Sequence, residues 1–453
     1  MFLYLKIVKL SKTLPLLLVF FLASCGGEDI NIETRSARTP APTKTLKSIS
    51  KPTNSEKETP FLLSLADFRE DPINIAILLP LSGPSQTTGQ ALLDAASIAL
   101  FEAYDPRLSL RPYDTQGTPE GSQKAALSAI SEGAKIILGP LFSGSIAAIK
   151  PLIQEMGIKV IGFSNNKKVA GNNVYLLSFL PEAEVKRVIS FASSKGYKKI
   201  ASLIPEGEYG DKIIQSISKA VDQNNGVLAG LEVYPRDSKA VFDPVKRLAN
   251  YDIRRRAYLQ EKSFLERLDD DLSIEALKKL ENLETLGDAP FEAVMVPEGG
   301  ELLRSLAPLL LFFEVNPAKV KLLGTGLWDD RSLIHEPSLT GGWYASSPQD
   351  LSQAFLKKFE EYYNYTPQRI SSLAFDAMSL IANLSRNEIK AERYSKENLE
   401  NSNGFTGVDG IFRFKNDGTA ERGLAVIEIQ PSGFKTISPA PKSFEDHISI
   451  ASN

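Results

Sequence analysis

The side chains best able to do chemistry are scarce in this chain, and the most suggestive ones form a short turn. Ser143-Gly144-Ser145 lies at the predicted start of a helix, where free backbone N–H groups and a serine hydroxyl suit a carboxylate. A serine at a helix start is more often a simple cap. The only histidines, His335 and His447, give no basis for metal or acid–base chemistry. There is no G-x-S-x-G elbow and no Walker loop, so we predict no catalytic residue, metal site or cofactor.

A second group of chemical interest is the acidic run Asp269-Asp270-Asp271. It lacks the spaced ligands and the glycine of a calcium loop, so a helix start explains it better. We expect a cap at Asp271 or Ser273, with Glu275 in the first turn. The surrounding segment, 251–287, is densely charged and has apolar residues at roughly helical spacing. It predicts a solvated helical insertion or, alternatively, a surface that docks a partner.

The single cysteine, Cys25, follows an apolar run that is preceded by three lysines. A basic region, a short apolar region and small residues at a cleavage point are typical of a secretory signal. The ending Leu22-Ala23-Ser24-Cys25 resembles the lipobox of bacterial lipoproteins, which implies cleavage before Cys25 and lipidation of its sulfur. The alternative is a short apolar helix with a buried free cysteine. The signal is favoured over it because the apolar run is too short to span a bilayer. We therefore expect a signal peptide at 1–24 and a lipid-anchored protein on the periplasmic side of the inner or outer membrane.

The composition describes an ordinary globular protein outside its N-terminal region. Its apolar fraction of 43% and charged fraction of 24% are typical values, and its net charge of −3 gives no basic field for nucleic acid. Residues 25–72 are polar and lack apolar periodicity, which predicts a disordered tether. With one cysteine the chain forms no internal disulfide, so its stability must come from a large apolar core.

Short buried strands alternate with amphipathic helices after Pro72, a pattern typical of parallel sheets covered on both faces. The predicted strands are 73–79, 108–113, 135–140, 158–162, 199–204, 226–234, 291–296 and 320–324. The predicted helices are 89–103, 119–132, 144–156, 182–195, 210–223, 299–313, 350–364 and 370–384. The alternation restarts after Pro181, which indicates two α/β units joined at about 177–181.

Three segments, in this order, resemble the leucine/isoleucine/valine-binding family of type I periplasmic-binding-fold receptors. They are INIAILLPLSGPSQTTGQALLDAASIAL, KIILGPLFSGSIAAIKPLIQEMGIKVIGFS and GFTGVDGIFRFKNDGTAERGLAVIEIQ, the last with a hairpin turn at Asn416-Asp417-Gly418. The resemblance implies an α/β fold of two lobes, each a parallel sheet sandwiched by helices, hinged by three crossovers. It implies a first lobe of 73–180 plus 349–422, a second lobe of 181–348 plus 423–441, and a tail of 442–453.

The same resemblance implies a ligand site between the lobes. Residues that match ligand-lining positions of the family are Ser143, Ser164, Asn166, Thr88 and Tyr209. The family's role would be that of a solute receptor that delivers an amino acid or a related small polar molecule to an ABC permease. The family places a carboxylate after the strand matching 320–324, where it pairs with the ligand's ammonium. Here that position is apparently Gly326, although Asp329 or Asp330 could substitute if the loop is rebuilt.

The gap at Gly326 leaves other functions open. The Leu78–Gly83 and Gly139–Leu141 segments are also similar to the C-terminal domain of lipoprotein activators of penicillin-binding proteins. That resemblance implies a non-catalytic activator of a peptidoglycan synthase that acts through the same fold. A structural lipoprotein with a vestigial cleft is a third possibility. The membrane contact is expected through the lipid anchor only.

Overall fold

A computed structural model describes residues 72–268 and 270–444, which all belong to one compact unit. The predicted signal peptide, Cys25 and the predicted tether up to residue 71 lie outside the described residues. Among the residues that are described, no helix is both long and apolar enough to cross a membrane. The predicted strands and helices are confirmed to within three residues at most boundaries, because each carries its own buried apolar pattern.

The first lobe is built on a five-stranded parallel sheet with strand order β2-β1-β3-β4-β5. Its strands are β1 (Ile73–Leu79), β2 (Leu108–Asp114), β3 (Ile136–Leu138), β4 (Lys159–Gly162) and β5 (Val174–Leu176). Helices α1 (Gln86–Ala103), α2 (Pro119–Ser131) and α3 (Ser143–Met156) connect them. Successive side chains of β1 enter two different apolar clusters, Ile75 and Ile77 on one face and Ala76 and Leu78 on the other. The sheet is therefore covered on both faces, as its continuous apolar strands predict.

The second lobe has a seven-stranded sheet with strand order β15-β14-β10-β9-β8-β6-β7. Five strands are parallel: β6 (Lys199–Pro205), β7 (Val227–Tyr234), β8 (Ala293–Met295), β9 (Lys321–Gly324) and β10 (Trp343–Ser346). Helices α4 (Pro181–Ser194), α5 (Glu208–Gln223), α6 (Phe242–Leu248) and α9 (Gly300–Phe312) accompany them. The edge differs from the expected parallel sheet, because β14 (Ala425–Gln430) and β15 (Gly433–Ser438) run antiparallel. These two strands form a hairpin, which needs no crossover helix.

The insertion forms a helical hairpin of α7 (Tyr251–Leu268) and α8 (Asp271–Leu280). The predicted cap at Asp271 or Ser273 is wrong by one residue. Asp270 is the cap, and its carboxylate accepts a hydrogen bond from the backbone N–H of Ser273 at 2.7 Å. The described residues contain no cluster of acidic, histidine or cysteine side chains suited to a metal ion.

The chain returns to the first lobe through α10 (Gln349–Tyr363), α11 (Ser371–Leu384) and α12 (Lys396–Leu399). A small antiparallel sheet follows, formed by β11 (Phe405–Gly407), β12 (Gly410–Phe414) and β13 (Ala420–Arg422). The predicted turn at Asn416-Asp417-Gly418 joins β12 to β13, with Gly418 at a φ of 79°. Three segments connect the lobes, after β5, after β10 and after β13, so the two-lobed fold with three crossovers is confirmed.

Candidate functional site

The carboxyl ends of the first lobe's strands present loops, one of which is held by a single aspartate. Asp114, the last residue of β2, accepts hydrogen bonds from the Leu81 N–H at 2.9 Å and the Ser82 hydroxyl at 2.6 Å. It also accepts one from the Gln116 N–H at 2.8 Å. These bonds lower the pKa of Asp114 even though burial acts in the opposite direction. The loop after β1 is therefore fixed before any ligand arrives.

Ser143 is the first residue of α3 rather than its cap. Phe142 occupies the cap position, and its side chain makes no capping hydrogen bond. The Ser143 side chain is half-buried, and no hydrogen bond joins its hydroxyl to another described residue. The neighbouring Ser145 is different, because its hydroxyl donates to the Thr118 carbonyl at 3.3 Å. The turn thus offers an unused hydroxyl beside helix N–H groups that no side chain caps, an arrangement suited to a carboxylate.

The other predicted residues of the first lobe already make hydrogen bonds to other residues of the protein. Ser164 follows β4 and is buried, and its hydroxyl accepts from the Asn166 N–H at 3.2 Å. The Asn166 side chain accepts from the Lys168 N–H at 3.2 Å and caps a short 3-10 turn. The Thr88 hydroxyl donates to the Gln368 side-chain oxygen at 2.7 Å. Their ligand roles remain predictions.

Tyr209 lies at the start of α5, at the carboxyl end of β6 in the second lobe. Its hydroxyl is buried without a hydrogen-bond partner among the described residues, although the Thr325 side chain is a close polar neighbour. Burial raises the phenol pKa well above its usual value. Of the five predicted residues, only Ser164 and Asn166 are joined to each other by a hydrogen bond.

The position of Gly326 is more informative than the gap in the sequence. Its backbone N–H donates to the Glu184 carboxylate at 2.9 Å, and a Cβ at this glycine would lie 2.7 Å from the other Glu184 oxygen. A carboxylate is therefore present, but it comes from the first turn of α4 instead of the loop after β9. Burial raises the pKa of Glu184 to about 7, against the lowering effect of the Gly326 N–H. Sequence reasoning missed Glu184.

A second residue that sequence reasoning missed, Arg369, joins the two lobes. Its guanidinium lies 3.7 Å from the Asp329 carboxylate of the second lobe and is hydrogen-bonded to Asp409 of the first. Asp329 also accepts from the Ser346 hydroxyl at 2.9 Å and the Gln349 side chain at 2.8 Å. We call the Asp409–Arg369–Asp329 chain of contacts the Arg369 bridge. Arg369 is thus the charge partner of Asp329, one of the two carboxylates that could have replaced the one missing at Gly326.

The hinge beside this bridge is a tightly packed charged region. Phe179, on the first crossover, has the guanidinium carbons of Arg369 and Arg422 at 4.3 Å and 5.1 Å from its ring centroid. A cavity of about 10 Å³ lies between Phe179, Glu184 and Arg422, close to the volume of one water. The Ser178 hydroxyl and two Arg422 nitrogens are buried there without hydrogen-bond partners among the described residues, although one of these nitrogens lies 3.8 Å from the Asp376 carboxylate. One bridging water would satisfy such groups.

A larger cavity, of about 830 Å³, opens at the opposite end of the first sheet. It is lined by Asn74, Lys135 and Lys159, near the amino ends of β1, β3 and β4. Ligands of open α/β sheets bind at the carboxyl ends of the strands. The large cavity is therefore separate from the predicted ligand site.

Comparison with known proteins places this geometry in context. Residues 72–259 match the family model described as periplasmic binding protein. A protein of Rickettsia prowazekii is 29% identical over 179 residues, 39% of this chain and 47% of that protein. The penicillin-binding protein activator LpoA of Photobacterium profundum is 22% identical over 164 residues, 36% of this chain and 26% of that protein. The chain thus matches less than half the length of these curated relatives.

Solved structures share the fold at low sequence identity. A branched-chain amino acid ABC transporter protein of Rhodospirillum rubrum superposes with a TM-score of 0.64 and 16% identity, over 81% of this chain and 100% of that one. The LpoA C-domain of Haemophilus influenzae superposes with a TM-score of 0.56 and 15% identity, over 80% of this chain and 99% of that one. A solute-binding protein of Rhodopseudomonas palustris in complex with 3,4-dihydroxybenzoic acid superposes with a TM-score of 0.53 and 14% identity, over 82% of this chain and 97% of that one. The chain is a protein of the type I periplasmic-binding fold, similar both to ABC-transporter solute-binding proteins and to LpoA.

Proposed function

We propose that this protein is a non-catalytic, extracytoplasmic solute receptor whose cleft takes a small carboxylate without an ammonium group. The observation that carries the proposal is the Arg369 bridge. A zwitterionic amino acid needs one site for its carboxylate and another for its ammonium. Ser143 and the start of α3 suit the first, but Arg369 is already the cation that faces Asp329 at the second.

The energetic argument concerns the charge of the ligand. An ammonium placed beside Asp329 and Glu184 would lie close to the Arg369 guanidinium, whose positive charge acts on both carboxylates. Like charges brought together in a cleft cost several kcal/mol, on the order of the whole gain from a new ion pair. A carboxylate ligand without the ammonium avoids this repulsion. Support comes from the similar Rhodopseudomonas palustris protein, whose ligand is such a carboxylate.

Matched ligand pairs test the proposal. Isothermal titration of Ala66–Asn453, the compact unit that contains every described residue, would compare leucine with 4-methylpentanoate, and phenylalanine with 3-phenylpropanoate, because each pair differs only in the ammonium group. We expect the acid without the ammonium to bind at least about tenfold more tightly, a difference of 1.4 kcal/mol. Ser143→Ala should weaken that binding, whereas Ser131→Ala, on α2 and away from the cleft, should not. Equal or tighter binding of the amino acids would refute the proposal.

The receptor would be held at the membrane by a lipid on Cys25 and would deliver its ligand to an ABC permease. Metabolic labelling with a fatty acid tests the anchor, since a Cys25→Ser variant should lose the label. Label retained in that variant would exclude lipidation at this cysteine.

A second candidate function is activation of a peptidoglycan synthase. It is favoured by similarity to LpoA in sequence and to the LpoA C-domain in fold. The Arg369 bridge is compatible with it, because the lobes are joined here by the protein's own side chains. Synthase activity measured with and without the purified protein separates the candidates. Stimulation without any bound carboxylate would favour the activator, and its absence would favour the receptor.

A further inference from the structure

The helical hairpin exposes an apolar face that the rest of the described protein does not cover. Ile253, Ala257, Phe264 and Leu268 lie at positions i, i+4, i+11 and i+15 of α7, which places them on one side of the helix. Ile253 is 58% exposed, Phe264 50% and Leu268 48%. We call these four residues the hairpin stripe. Leu272, near the start of α8, is 79% exposed as well.

The base of the hairpin is held firmly, so the stripe is presented in a fixed orientation. Arg254 is buried and donates to the carbonyls of Gly287, Phe313 and Glu314 at 3.0, 3.3 and 3.0 Å. It also donates to the Thr285 hydroxyl at 2.9 Å. Five donors in a planar fork fix one geometry, which a flexible loop would not provide. The start of α7 is therefore anchored to the body of the second lobe.

Two arginines border the stripe along one side. Arg256 and Arg267 lie three residues after Ile253 and Phe264, on the adjacent face of α7. Their Nε atoms donate to carbonyls of their own helix, at 3.3 Å to Asp252 and 3.1 Å to Ser263. Among the described residues, neither has a carboxylate within ion-pair distance. Both guanidinium groups are therefore available to carboxylates from another molecule.

We propose that the hairpin stripe is a docking surface for an acidic amphipathic helix of a partner protein. A row of apolar residues at helical spacing matches the apolar face of such a helix, as in other helix-recognition surfaces. Acidic residues beside that face would pair with Arg256 and Arg267 and fix its register. The docking is independent of any ligand in the cleft.

The charge of the hairpin argues against other occupants. Residues 251–287 hold seven basic and nine acidic side chains, so a broad anionic lipid surface would meet the acidic side chains of the segment as well as Arg256 and Arg267. A single acidic helix laid along the stripe contacts Arg256 and Arg267 at its border without covering the rest of the segment.

A charge-swap experiment tests the proposal. The probes are two labelled synthetic helical peptides with the same leucine seam, one bordered by glutamates and the other by lysines. Fluorescence anisotropy with residues 66–453 should show tighter binding of the glutamate peptide by about tenfold or more. Phe264→Ser with Leu268→Ser should abolish it, whereas Leu127→Ser, an equally exposed residue on α2, should have no effect. Arg256→Glu with Arg267→Glu should reverse the preference in favour of the lysine peptide.

Circular dichroism should show unchanged helix content in all these variants, because the altered side chains are exposed. Equal binding of both peptides, or binding that survives the Phe264 and Leu268 changes, would overturn the proposal. So would stripe-dependent binding to phosphatidylglycerol vesicles or stripe-dependent dimerisation in sedimentation, since either would identify a different occupant.

Discussion

Replacing Arg369 by methionine isolates the charge of the Arg369 bridge, since methionine keeps an apolar contact with Phe179 but no charge. Removing one member of a buried ion pair costs about 3–5 kcal/mol, because the other charge stays buried without compensation. Asp409 has 0% side-chain exposure and Asp329 13%, but Arg369 has 34%, so solvent already screens part of the interaction. We therefore expect a loss of about 2–3 kcal/mol of unfolding free energy at pH 7.5.

The pH dependence distinguishes a charge effect from a packing effect. Burial alone would raise the pKa of Asp409, but the Arg369 charge, followed by that of Arg422, holds it below its usual range. A carboxyl with a lowered pKa stabilises the fold above its unfolded pKa and loses that contribution in acid. Without Arg369, the pKa of Asp409 should rise and the carboxyl should take up a proton on mild acidification. The difference between wild type and variant should therefore shrink from pH 7.5 to pH 5.

Urea unfolding followed by circular dichroism, at both pH values, measures these differences. Arg111→Met is a matched control, because Arg111 pairs with Glu132 at 3.4 Å and both side chains are more than 40% exposed. That control should lose less than about 1 kcal/mol. Arg369→Met combined with Asp409→Asn should recover stability relative to the single variant. A loss that is equal at both pH values, or no larger than that of Arg111→Met, would refute the reasoning.

Three further predictions concern other parts of the site and the hairpin. Gly326→Ala should cost about 1–3 kcal/mol in urea unfolding, because its Cβ would lie 2.7 Å from Glu184, whereas Gly144→Ala, with 3.8 Å to its nearest neighbour, should cost little. Glu184→Gln should remove a stability loss that the wild type shows as pH rises from about 4.5 to 7, since its raised pKa favours the folded state only while the carboxyl is protonated. At pH 8 the variant should be the more stable by on the order of 2 kcal/mol, as urea titrations at several pH values can check. Arg254→Met should cost about 3 kcal/mol and speed proteolysis within the hairpin, measured by limited trypsin digestion, because the carbonyls that it bonds lose a charged donor.

The fold was largely predictable because its signals are local. The run Ile73–Leu79 is apolar at every position except Asn74, and such a short continuous apolar run predicts a strand that is buried on both faces. Direction is a different matter, since β14 and β15 carry strand patterns that fit either orientation. Their antiparallel pairing depends on the tight turn between Gln430 and Gly433, which was not predicted from the sequence. The cap at Asp270 was missed because three consecutive aspartates are equivalent in sequence.

The sequence predicted five ligand-lining residues, whose roles stay predictions, and it did not predict Glu184 or Arg369. Ser143 and Ser164 were predicted from the resemblance to the family, and the structure places each after a strand of the first sheet, β3 or β4. Glu184 could have been noticed as an acidic residue just after Pro181, but an acid in a first helical turn usually only complements the helix dipole. Its meeting with Gly326, 142 residues later, depends on how α4 packs over the second sheet. Arg369 lies in an unremarkable loop before α11, and no local pattern indicates its partners.

The Arg369 bridge also limits what any ligand can do to the lobes. Its contact between Arg369 and Asp329 joins the two lobes, so it stabilises the present arrangement relative to any arrangement in which the two side chains are apart. If it contributes even about 1.4 kcal/mol, the unliganded protein favours this arrangement tenfold more than it would without the bridge. A ligand shifts the equilibrium between the two arrangements only by the difference in its affinity for them. When the bridge already favours the present arrangement, a smaller fraction of the unliganded protein is left for a ligand to shift. A receptor that signals by closure needs a weak bridge, whereas a protein that presents a constant surface to a partner benefits from a strong one. The stability of the Arg369 bridge therefore bears on the choice between the two candidate functions, independently of which ligand or partner is tried.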